Sequence, residues 1–301
     1  MKKQETIFAV DGNWYLHRIF FTTRTTRPLV DVIPYRLLSM ICKDALAVGA
    51  KYVVVAFDGP RVFRYKVYPL YKSKRNNGQP STTDHDFAPS SELDIYDFLQ
   101  PIYDLFAQVG IGFFQPKIYE ADDVLCSIAS KYSNKYRIIC GTSDKDAYQY
   151  LTDMVTLYDS SFKNPASKKP EPRFLDVAYA EKRKGVRIEQ MVDYQTMIGD
   201  TNDSIPSVPG FGPVTAQNIL NKHGTLQAWY SQLEGKEKRD IKAKLEYFRR
   251  NRQLVQLIDT CAPASEPEEW KLYKEKPDIS LPGPYHDLHS VIYPKTKGLF
   301  A

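Results

Sequence analysis

Short, continuous hydrophobic runs recur along the first half of the chain. They occupy residues 7–10, 52–57, 137–140 and 155–158. Runs of this length without polar interruption are typical of strands that are buried on both faces of a sheet. Helical spacing of hydrophobic residues occurs between them, at 34–48, 92–109, 121–132 and 145–151. This alternation predicts an α/β fold, in which a central, mostly parallel sheet carries helices on both faces.

Three changes of pattern divide the chain. Within an α/β core predicted at 1–175, residues at about 70–92 are rich in Lys and Arg and then in Asn, Gly, Ser, Thr and Pro, which predicts a mobile insertion. From 176 to 262 the pattern is helical, with Gly and Pro concentrated in a hairpin segment at about 199–224. The remaining residues, 263–301, are rich in Pro, Glu, Lys and Tyr and show no period, so they receive no predicted role.

Composition narrows the classes of function only slightly. The formal net charge of +5 permits a polyanionic partner but is also common in soluble proteins. The four cysteines are far apart in sequence, so they predict buried thiols in a reducing cytoplasm rather than a metal site. No hydrophobic stretch approaches the length that spans a bilayer, and no signal-peptide pattern follows Met1, so no membrane partner is expected.

Acidic residues concentrate at the ends of the predicted strands and at the starts of predicted helices. They comprise Asp11 and Asp58 singly, and three clusters: Glu120 with Asp122 and Asp123, Asp144 with Asp146, and Asp200 with Asp203. Any one of these sites taken alone is better explained by a helix cap or a turn than by a metal site. In a parallel sheet, however, the carboxyl ends of the strands share one edge, where several carboxylates would repel one another.

A divalent cation would remove this repulsion. Oxygen ligands without Cys or His favour Mg²⁺ or Mn²⁺ over Zn²⁺, and the five histidines show no ligand spacing. Two ions roughly 4 Å apart would polarise a phosphodiester and activate water. The acidic pattern therefore predicts a two-metal phosphodiesterase.

A series of motifs in a fixed order resembles the 5′-nuclease superfamily, which includes flap endonucleases, phage 5′→3′ exonucleases and the 5′-exonuclease domain of bacterial DNA polymerase I. The resemblance runs from about Ile7 to about Leu257. Its motifs are Asp11-Gly12, Asp58-Gly59, Phe63-Arg64 with the segment 68–75, Glu-Ala-Asp-Asp at 120–123, Ser-Asp-Lys-Asp at 143–146, and Gly-Asp at 199–200 followed by Val-Pro-Gly-Phe-Gly at 208–212. The resemblance implies that the insertion at 70–92 is a helical arch.

The resemblance also assigns roles to residues of this chain. The ligands implied for the first metal are Asp58, Glu120 and Asp122, with direct or water-mediated help from Asp11 and Asp123. Those implied for the second metal are Asp144, Asp146 and Asp203, with Asp200 nearby. The cations implied to stabilise the scissile phosphate are Arg18, Lys72 and Arg75.

Two further segments are implied to contact DNA. The first is the glycine hairpin, a helix-turn-helix variant that would grip duplex DNA and hold a K⁺ ion on its carbonyls through Val208, Gly210, Phe211, Gly212 and Thr215. From the residues alone, it could equally be a tight turn between helices. The second is the start of the arch, where Tyr71 would stack on a base and Lys74 would attract a single strand. By itself, this segment could be a solubilising loop.

Three functions remain open at this point. The first is a stand-alone, monomeric 5′→3′ exonuclease or flap endonuclease of DNA replication or repair, in the cytoplasm of a bacterial cell or a phage-infected host. Its substrate would be DNA with a free 5′ end, a flap, a nick or an RNA primer. The second is a non-catalytic protein that binds branched DNA, although the complete acidic set argues against it. The third is a PIN-like ribonuclease, against which the duplex-gripping hairpin argues.

Overall fold

The computed structural model describes residues 4–23, 33–59, 62–76 and 99–271. One six-stranded sheet lies at its centre, formed by β1 (Thr6–Asp11), β2 (Tyr52–Ala56), β3 (Gly112–Phe114), β4 (Arg137–Gly141), β5 (Val155–Asp159) and β6 (Arg173–Leu175). The strands lie in the order β3-β2-β1-β4-β5-β6, and every neighbouring pair is parallel except β5 and β6. In the central register, Ala9 lies between Val54 and Cys140. The predicted α/β architecture is therefore confirmed.

Helices cover both faces of this sheet. Those of the first half are α1 (Gly12–Thr23), α2 (Ile33–Ala47), α3 (Val62–Val67), α4 (Leu99–Val109) and α5 (Ala121–Tyr132). Phe8 and Val10 share a hydrophobic cluster with side chains of α1, α2 and α4, whereas Ile7 and Ala9 share another with α5. Successive side chains of a strand point to opposite faces, so each continuous hydrophobic run buries both faces at once.

A helical region follows the sheet. Its helices are α6 (Val177–Lys184), α7 (Met191–Ile198), α8 (Pro213–His223), α9 (Leu226–Gln232), α10 (Gly235–Lys242) and α11 (Leu245–Val255). Phe211, in the turn before α8, lies with its ring centroid 5.7 Å from that of Trp229 and 5.2 Å from that of Phe248. These rings belong to the same hydrophobic cluster as α5, so the sheet and the helical region share one core. None of the described helices has the length and hydrophobicity to cross a membrane.

Two parts of the fold do not follow from the sequence pattern. The strands β3 and β6 have three residues each, which is too few to show a period. The start of the C-terminal tail packs on the sheet: Trp270 is buried, and its carbonyl accepts a hydrogen bond from Val53 N at 3.0 Å. Gly112 makes room for the indole ring, because a Cβ at that position would lie 2.6 Å from Trp270 Cδ1. Most of the predicted arch insertion and the tail beyond residue 271 lie outside the described residues.

Candidate active site

The carboxyl ends of three neighbouring strands bring acidic side chains to one edge of the sheet. Asp11 is the last residue of β1, Asp58 follows β2, and Asp144 follows β4. Asp11 Oδ1 accepts a hydrogen bond from Trp14 N at 2.9 Å and so caps the start of α1. Asp58 Oδ1 accepts one from Ala121 N at 2.9 Å, which ties β2 to the start of α5. Each carboxylate is thus placed by a strand end and fixed by a helix start.

The start of α5 adds two carboxylates. Glu120 precedes the helix and is buried, and Asp122 lies in the first helical turn. Both positions are favourable for negative charge because they lie at the positive end of the helix dipole. Asp122 Oδ1 is buried and has no hydrogen-bond donor among the described residues. Since buried polar atoms are nearly always bonded, this oxygen is one that a ligand would satisfy.

A second group of carboxylates lines a cavity of about 410 Å³ beside β4. The group comprises Asp144, Asp146, Asp200 and Asp203. The turn after β4 positions the first two, because Asp146 N donates to Asp144 Oδ1 at 2.9 Å. Asp200 follows α7 and forms an ion pair with Lys145 Nζ at 2.6 Å. The turn after β4 and the loop after α7, which are far apart in sequence, therefore both contribute carboxylates to one cavity.

Mutual repulsion shows that the two groups form one negatively charged site. Burial, followed by the charges of Asp58 and Asp144, raises the pKa of Asp11 to about 7. Burial, followed by the charges of Asp144 and Asp11, raises the pKa of Asp122 well above its ordinary value. Burial and the neighbouring carboxylates, with Asp144 first among them, do the same for the pKa of Asp146. Asp144 therefore lies within electrostatic range of both groups.

Positive side chains share this site with the carboxylates. Lys72 Nζ lies 2.9 Å from Glu120 Oε1. In the part of the chain that the structure describes, no three His, Cys, Asp or Glu side chains stand in an arrangement that would hold a metal ion. The donor set nevertheless fits a hard divalent cation, because it consists of carboxylate oxygens and includes the unbonded Oδ1 of Asp122. The carboxylates are close enough to repel one another.

One predicted phosphate-binding cation, Lys72, lies at this site, and a second, Arg18, lies beside a residue that lines the cavity. Lys72 is buried and has a left-handed backbone with φ of 55°, held by a hydrogen bond from its N to Asp203 O at 2.9 Å. Arg18 is half-buried, and its Nη1 donates to Ser160 Oγ at 2.8 Å. Its guanidinium lies 4.5 Å from the ring centroid of Trp14, which also lines the cavity. Both cations are therefore held in place by their neighbours.

Two predicted residues of the arch, Lys74 and Arg75, are described less completely. The backbone of Arg75 belongs to a short 3-10 helix, Ser73–Asn76, and its side chain lies outside the described part of the chain. Lys74 is exposed, and its backbone N donates to Ser204 Oγ at 3.2 Å. A phosphate contact by Arg75 and a DNA contact by Lys74 remain predictions.

Two adjoining sequence families cover this fold and this site. Residues 6–185 match the 5′-3′ exonuclease, N-terminal resolvase-like domain, and residues 186–278 match the 5′-3′ exonuclease, C-terminal SAM fold. The chain belongs to the 5′-3′ exonuclease family.

Relatives of this chain include both a protein of similar length and a much longer one. A 5′-3′ exonuclease of Aquifex aeolicus is 26% identical over 281 residues, which cover 92% of this chain and 89% of the relative. DNA polymerase I of Mycobacterium tuberculosis is 28% identical over 282 residues, which cover 90% of this chain but only 29% of the polymerase. A bacteriophage T5 flap endonuclease, solved as a pseudo-enzyme-product complex with DNA and metal ions, has a TM-score of 0.64 and 21% identity, with 99% of this chain and 100% of that chain covered. This last similarity shows a shared fold.

The structure corrects the prediction that Asp123 is a metal ligand. Its side chain is fully buried and forms a two-pronged ion pair with Arg64, with both N–O distances at 2.7 Å. The same carboxylate accepts hydrogen bonds from Glu120 N and Ile258 N, each at 3.0 Å. Because these donors occupy both oxygens, Asp123 fixes the start of α5 instead of facing a metal. Arg64 also lies 3.2 Å from Glu120 Oε2 and helps to orient it.

Tyr71 also differs from its predicted role as a stacking platform. Its side chain is buried, and its ring packs edge-on against Tyr65 with the centroids 5.8 Å apart. Its hydroxyl donates to Glu120 Oε2 at 2.9 Å and lies 3.4 Å from Asp203 Oδ2. A buried ring cannot offer its face to a base, so Tyr71 instead helps to position two carboxylates of the acidic site.

The glycine hairpin presents only some of its predicted side chains to solvent. The side chains of Val208 and Phe211 are buried in the core, so a DNA contact by these two residues stays a prediction for their backbone atoms. Gly210, Gly212 and Thr215 are exposed, and Gly210 has φ of 86°, a conformation that favours glycine. The hairpin joins α7 to α8, as a helix-turn-helix variant requires, and its grip on duplex DNA remains a prediction.

A lysine beyond α10 contacts this hairpin. Lys244 Nζ donates to Pro209 O at 2.9 Å and lies 5.7 Å from the ring centroid of Phe211. One carbonyl of the hairpin therefore already accepts a hydrogen bond from a cation of the chain itself. The predicted K⁺ site remains a prediction.

Several residues that support the acidic site were not predicted from the sequence. Asn13 Oδ1 accepts a hydrogen bond from Asp58 N at 2.7 Å, and Gln195 Nε2 donates to Asp146 Oδ1. Asn13 and Lys145 lie next to acidic motifs in the sequence, so their positions could have indicated that they support the acidic site. Gln195 lies within α7 and has no such signal, because only the tertiary fold brings it to the strand edge.

Proposed function

We propose that this chain is a divalent-metal-dependent 5′→3′ exonuclease and flap endonuclease that hydrolyses phosphodiester bonds near the 5′ ends of duplex or branched DNA. RNA primers in hybrids would also be substrates, in DNA replication or repair. The observation that carries the proposal is the acidic edge, where carboxylates from separate segments raise one another's pKa values, as at Asp11, Asp122 and Asp146. A site that is unfavourable as a set of bare anions is favourable once divalent cations bind.

The donor set suits Mg²⁺ or Mn²⁺, because every donor is a carboxylate oxygen. The residues proposed to hold one ion are Asp58, Glu120 and Asp122, with Asp11 close by. The residues proposed to hold a second ion are Asp144, Asp146 and Asp203, with Asp200 close by. When bound, such ions supply positive charge that polarises a phosphodiester and favours deprotonation of water.

The chain's own cations bind and orient the phosphate in this proposal. Lys72 Nζ lies 2.9 Å from Glu120 Oε1 and 3.9 Å from Asp203 Oδ2, so it stands between the two acidic groups. A phosphate placed there would lie next to the ammonium group of Lys72, whose side chain is buried. The low polarity of these surroundings strengthens the attraction between the ammonium and the phosphate. Arg18 offers a second set of donors, already held in position. Arg75 is proposed as the third cation.

Relatives support this proposal for both substrate and metal. The Aquifex aeolicus relative is named a 5′-3′ exonuclease, and the bacteriophage T5 flap endonuclease structure contains DNA and metal ions. The chain spans 29% of the length of the Mycobacterium tuberculosis polymerase, so the proposal includes no polymerase activity.

Product mapping on a 5′-labelled flap duplex tests the proposal. Cleavage should require Mg²⁺ or Mn²⁺ and stop in EDTA. One-nucleotide products identify exonuclease action, and flap-length products identify flap endonuclease action. The same assay on RNA and on RNA–DNA hybrids compares the alternatives: cleavage of RNA alone would favour a PIN-like ribonuclease, and binding without cleavage would favour a non-catalytic branched-DNA protein.

A further inference from the structure

A second wall of the acidic cavity is basic and aromatic. The cavity of about 410 Å³ is also lined by residues of β6 and α6, namely Arg173, Tyr179, Arg183 and Lys184. The proposed metal site uses none of them. A volume of this size lies within the usual range of ligand pockets, about 300–1,000 Å³.

Lys184 is a cation of this wall that is half-buried and has no acidic partner among the described side chains. It is the last residue of α6 and is half-buried against Tyr148, with its Nζ 5.9 Å from the ring centroid. Burial, followed by the charge of Lys145, lowers the pKa of Lys184. Lys145 and Lys72 each form an ion pair with a carboxylate of the site, whereas Lys184 forms none with any described carboxylate. A half-buried ammonium that lines a cavity without a paired acid is suited to an anionic ligand.

Arg183 adds a second positive charge beside Lys184. It is exposed, its Nη1 donates to Tyr179 OH at 3.4 Å, and no acidic side chain of the described ranges pairs with it. Arg173 is neutralised instead, because its Nη2 lies 3.1 Å from Asp159 Oδ2. The charge available to a ligand on this wall therefore comes from Arg183 and Lys184.

We propose that Arg183 and Lys184 bind a phosphate of the nucleic acid across the cavity from the carboxylates. This proposal rests on the proposed function, since the phosphate belongs to the same substrate. The phosphate is either an internal phosphodiester or a terminal 5′-phosphate, and both present anionic oxygens to the two cations. A phosphate held on this wall fixes the strand relative to the carboxylates without reading its sequence.

Charge-removing substitutions on α6 test this subsite. Arg183→Gln and Lys184→Gln remove the two contacts, whereas Lys182→Gln removes the same charge from an exposed position of the helix that does not line the cavity. Binding to a fluorescent nicked duplex is measured by anisotropy in EDTA over a salt series, so that no cleavage is needed. We expect Kd to rise about three- to tenfold for the first two variants. Their slope of log Kd against log salt should fall by about 1, and Lys182→Gln should match the wild type.

Two comparisons identify the phosphate and separate this subsite from the proposed function. A loss of affinity that is equal for 5′-phosphate and 5′-hydroxyl duplexes identifies an internal phosphodiester as the bound group. A loss of affinity only for the 5′-phosphate duplex identifies the terminal phosphate. Lys184→Arg should keep wild-type affinity because it keeps the charge, and the Tm of each glutamine variant should match that of Lys182→Gln, which excludes misfolding as the cause. Glutamine variants that bind like Lys182→Gln would overturn the subsite. Mg²⁺-dependent cleavage by the wild type is assayed separately, so its absence would overturn the proposed function while the binding comparison still decides the subsite.

Discussion

Lys72 and Glu120 form a buried ion pair, with 2.9 Å between Nζ and Oε1. The other oxygen of the same carboxylate lies 2.9 Å from Tyr71 OH and 3.2 Å from Arg64 Nη1. Residues that precede or begin the predicted arch therefore determine where a proposed metal ligand points. A phosphate that binds Lys72 would consequently compete with Glu120 for the same ammonium group.

Removal of the Lys72 ammonium should impair cleavage more than binding. In Lys72→Met, the phosphate loses a donor from a buried position, and the expected fall in the single-turnover cleavage rate is about 10²-fold. Lys66→Met is the matched control, because Lys66 is an exposed lysine of the neighbouring helix α3. A rate for Lys72→Met that equals the rate for Lys66→Met would contradict the role of Lys72.

Asp122→Asn and Asp144→Asn should each abolish Mg²⁺-dependent cleavage and leave duplex binding measurable. One substitution affects each group of the acidic site, and an amide is a weaker ligand for a hard cation than a carboxylate. Asp153→Asn, at an exposed position in the turn before β5, should cleave at the wild-type rate. Full Mg²⁺-dependent activity in both site variants would contradict the assignment of Asp122 and Asp144 as metal ligands.

Without metal, the acidic site should destabilise the protein as the pH rises. The pKa of Asp11 is raised from 3.8 to about 7, so the folded state binds this proton more tightly than the unfolded state does. The associated stabilisation is complete below about pH 4 and is lost as the pH rises through about 7. The pKa values of Asp122 and Asp146 are shifted in the same direction. Mg²⁺ should therefore raise the Tm most at the upper end of this range, where the ligands are free of protons.

Asp11→Asn isolates this effect from other titrating groups. Asparagine keeps the capping oxygen for Trp14 N but remains neutral at every pH. In EDTA, the Tm of Asp11→Asn minus the Tm of the wild type should increase from about pH 4 to about pH 8. A difference that stays constant or decreases over this range would show that Asp11 is not destabilised by its neighbours.

The sequence predicts the acidic edge but not the direction of every side chain. Asp11 and Asp58 follow hydrophobic runs, so their positions at strand ends depend on local pattern alone. Asp122 and Asp123 are neighbours about 100° apart around a helix, so only one can face the other carboxylates of the acidic site. Which one does depends on Arg64, a partner from another part of the chain. Tyr71 is a similar case, since a motif that places an aromatic residue among cations does not show that its ring is buried.

Asp123→Asn tests the structural role that the buried ion pair indicates. Loss of the charge leaves the buried guanidinium of Arg64 without its main partner, which typically destabilises a protein by about 3–5 kcal/mol. Urea unfolding should show this loss for Asp123→Asn and not for Asp144→Asn, whose carboxylate is exposed. If Asp123→Asn instead kept wild-type stability and lost only Mg²⁺-dependent cleavage, Asp123 would be a ligand after all.

The hairpin before α8 offers a pair of glycine substitutions that separate folding from DNA binding. Gly210 has φ of 86°, so Gly210→Ala should reduce the free energy of unfolding by about 1–2 kcal/mol. Gly212 has φ of −97°, and no atom lies within 4 Å of a Cβ added there, so Gly212→Ala should keep wild-type stability.

If the Gly212 backbone approaches a phosphate, however, the added methyl group should prevent that approach. Duplex affinity of Gly212→Ala should then fall on the order of tenfold, the loss expected for one charge-assisted hydrogen bond. Anisotropy with a blunt duplex in EDTA measures this loss directly, and thermal unfolding of the same sample confirms that the fold is intact. Wild-type affinity in Gly212→Ala would place the duplex on another surface, because a hairpin pressed against a phosphate has no room for the new methyl group.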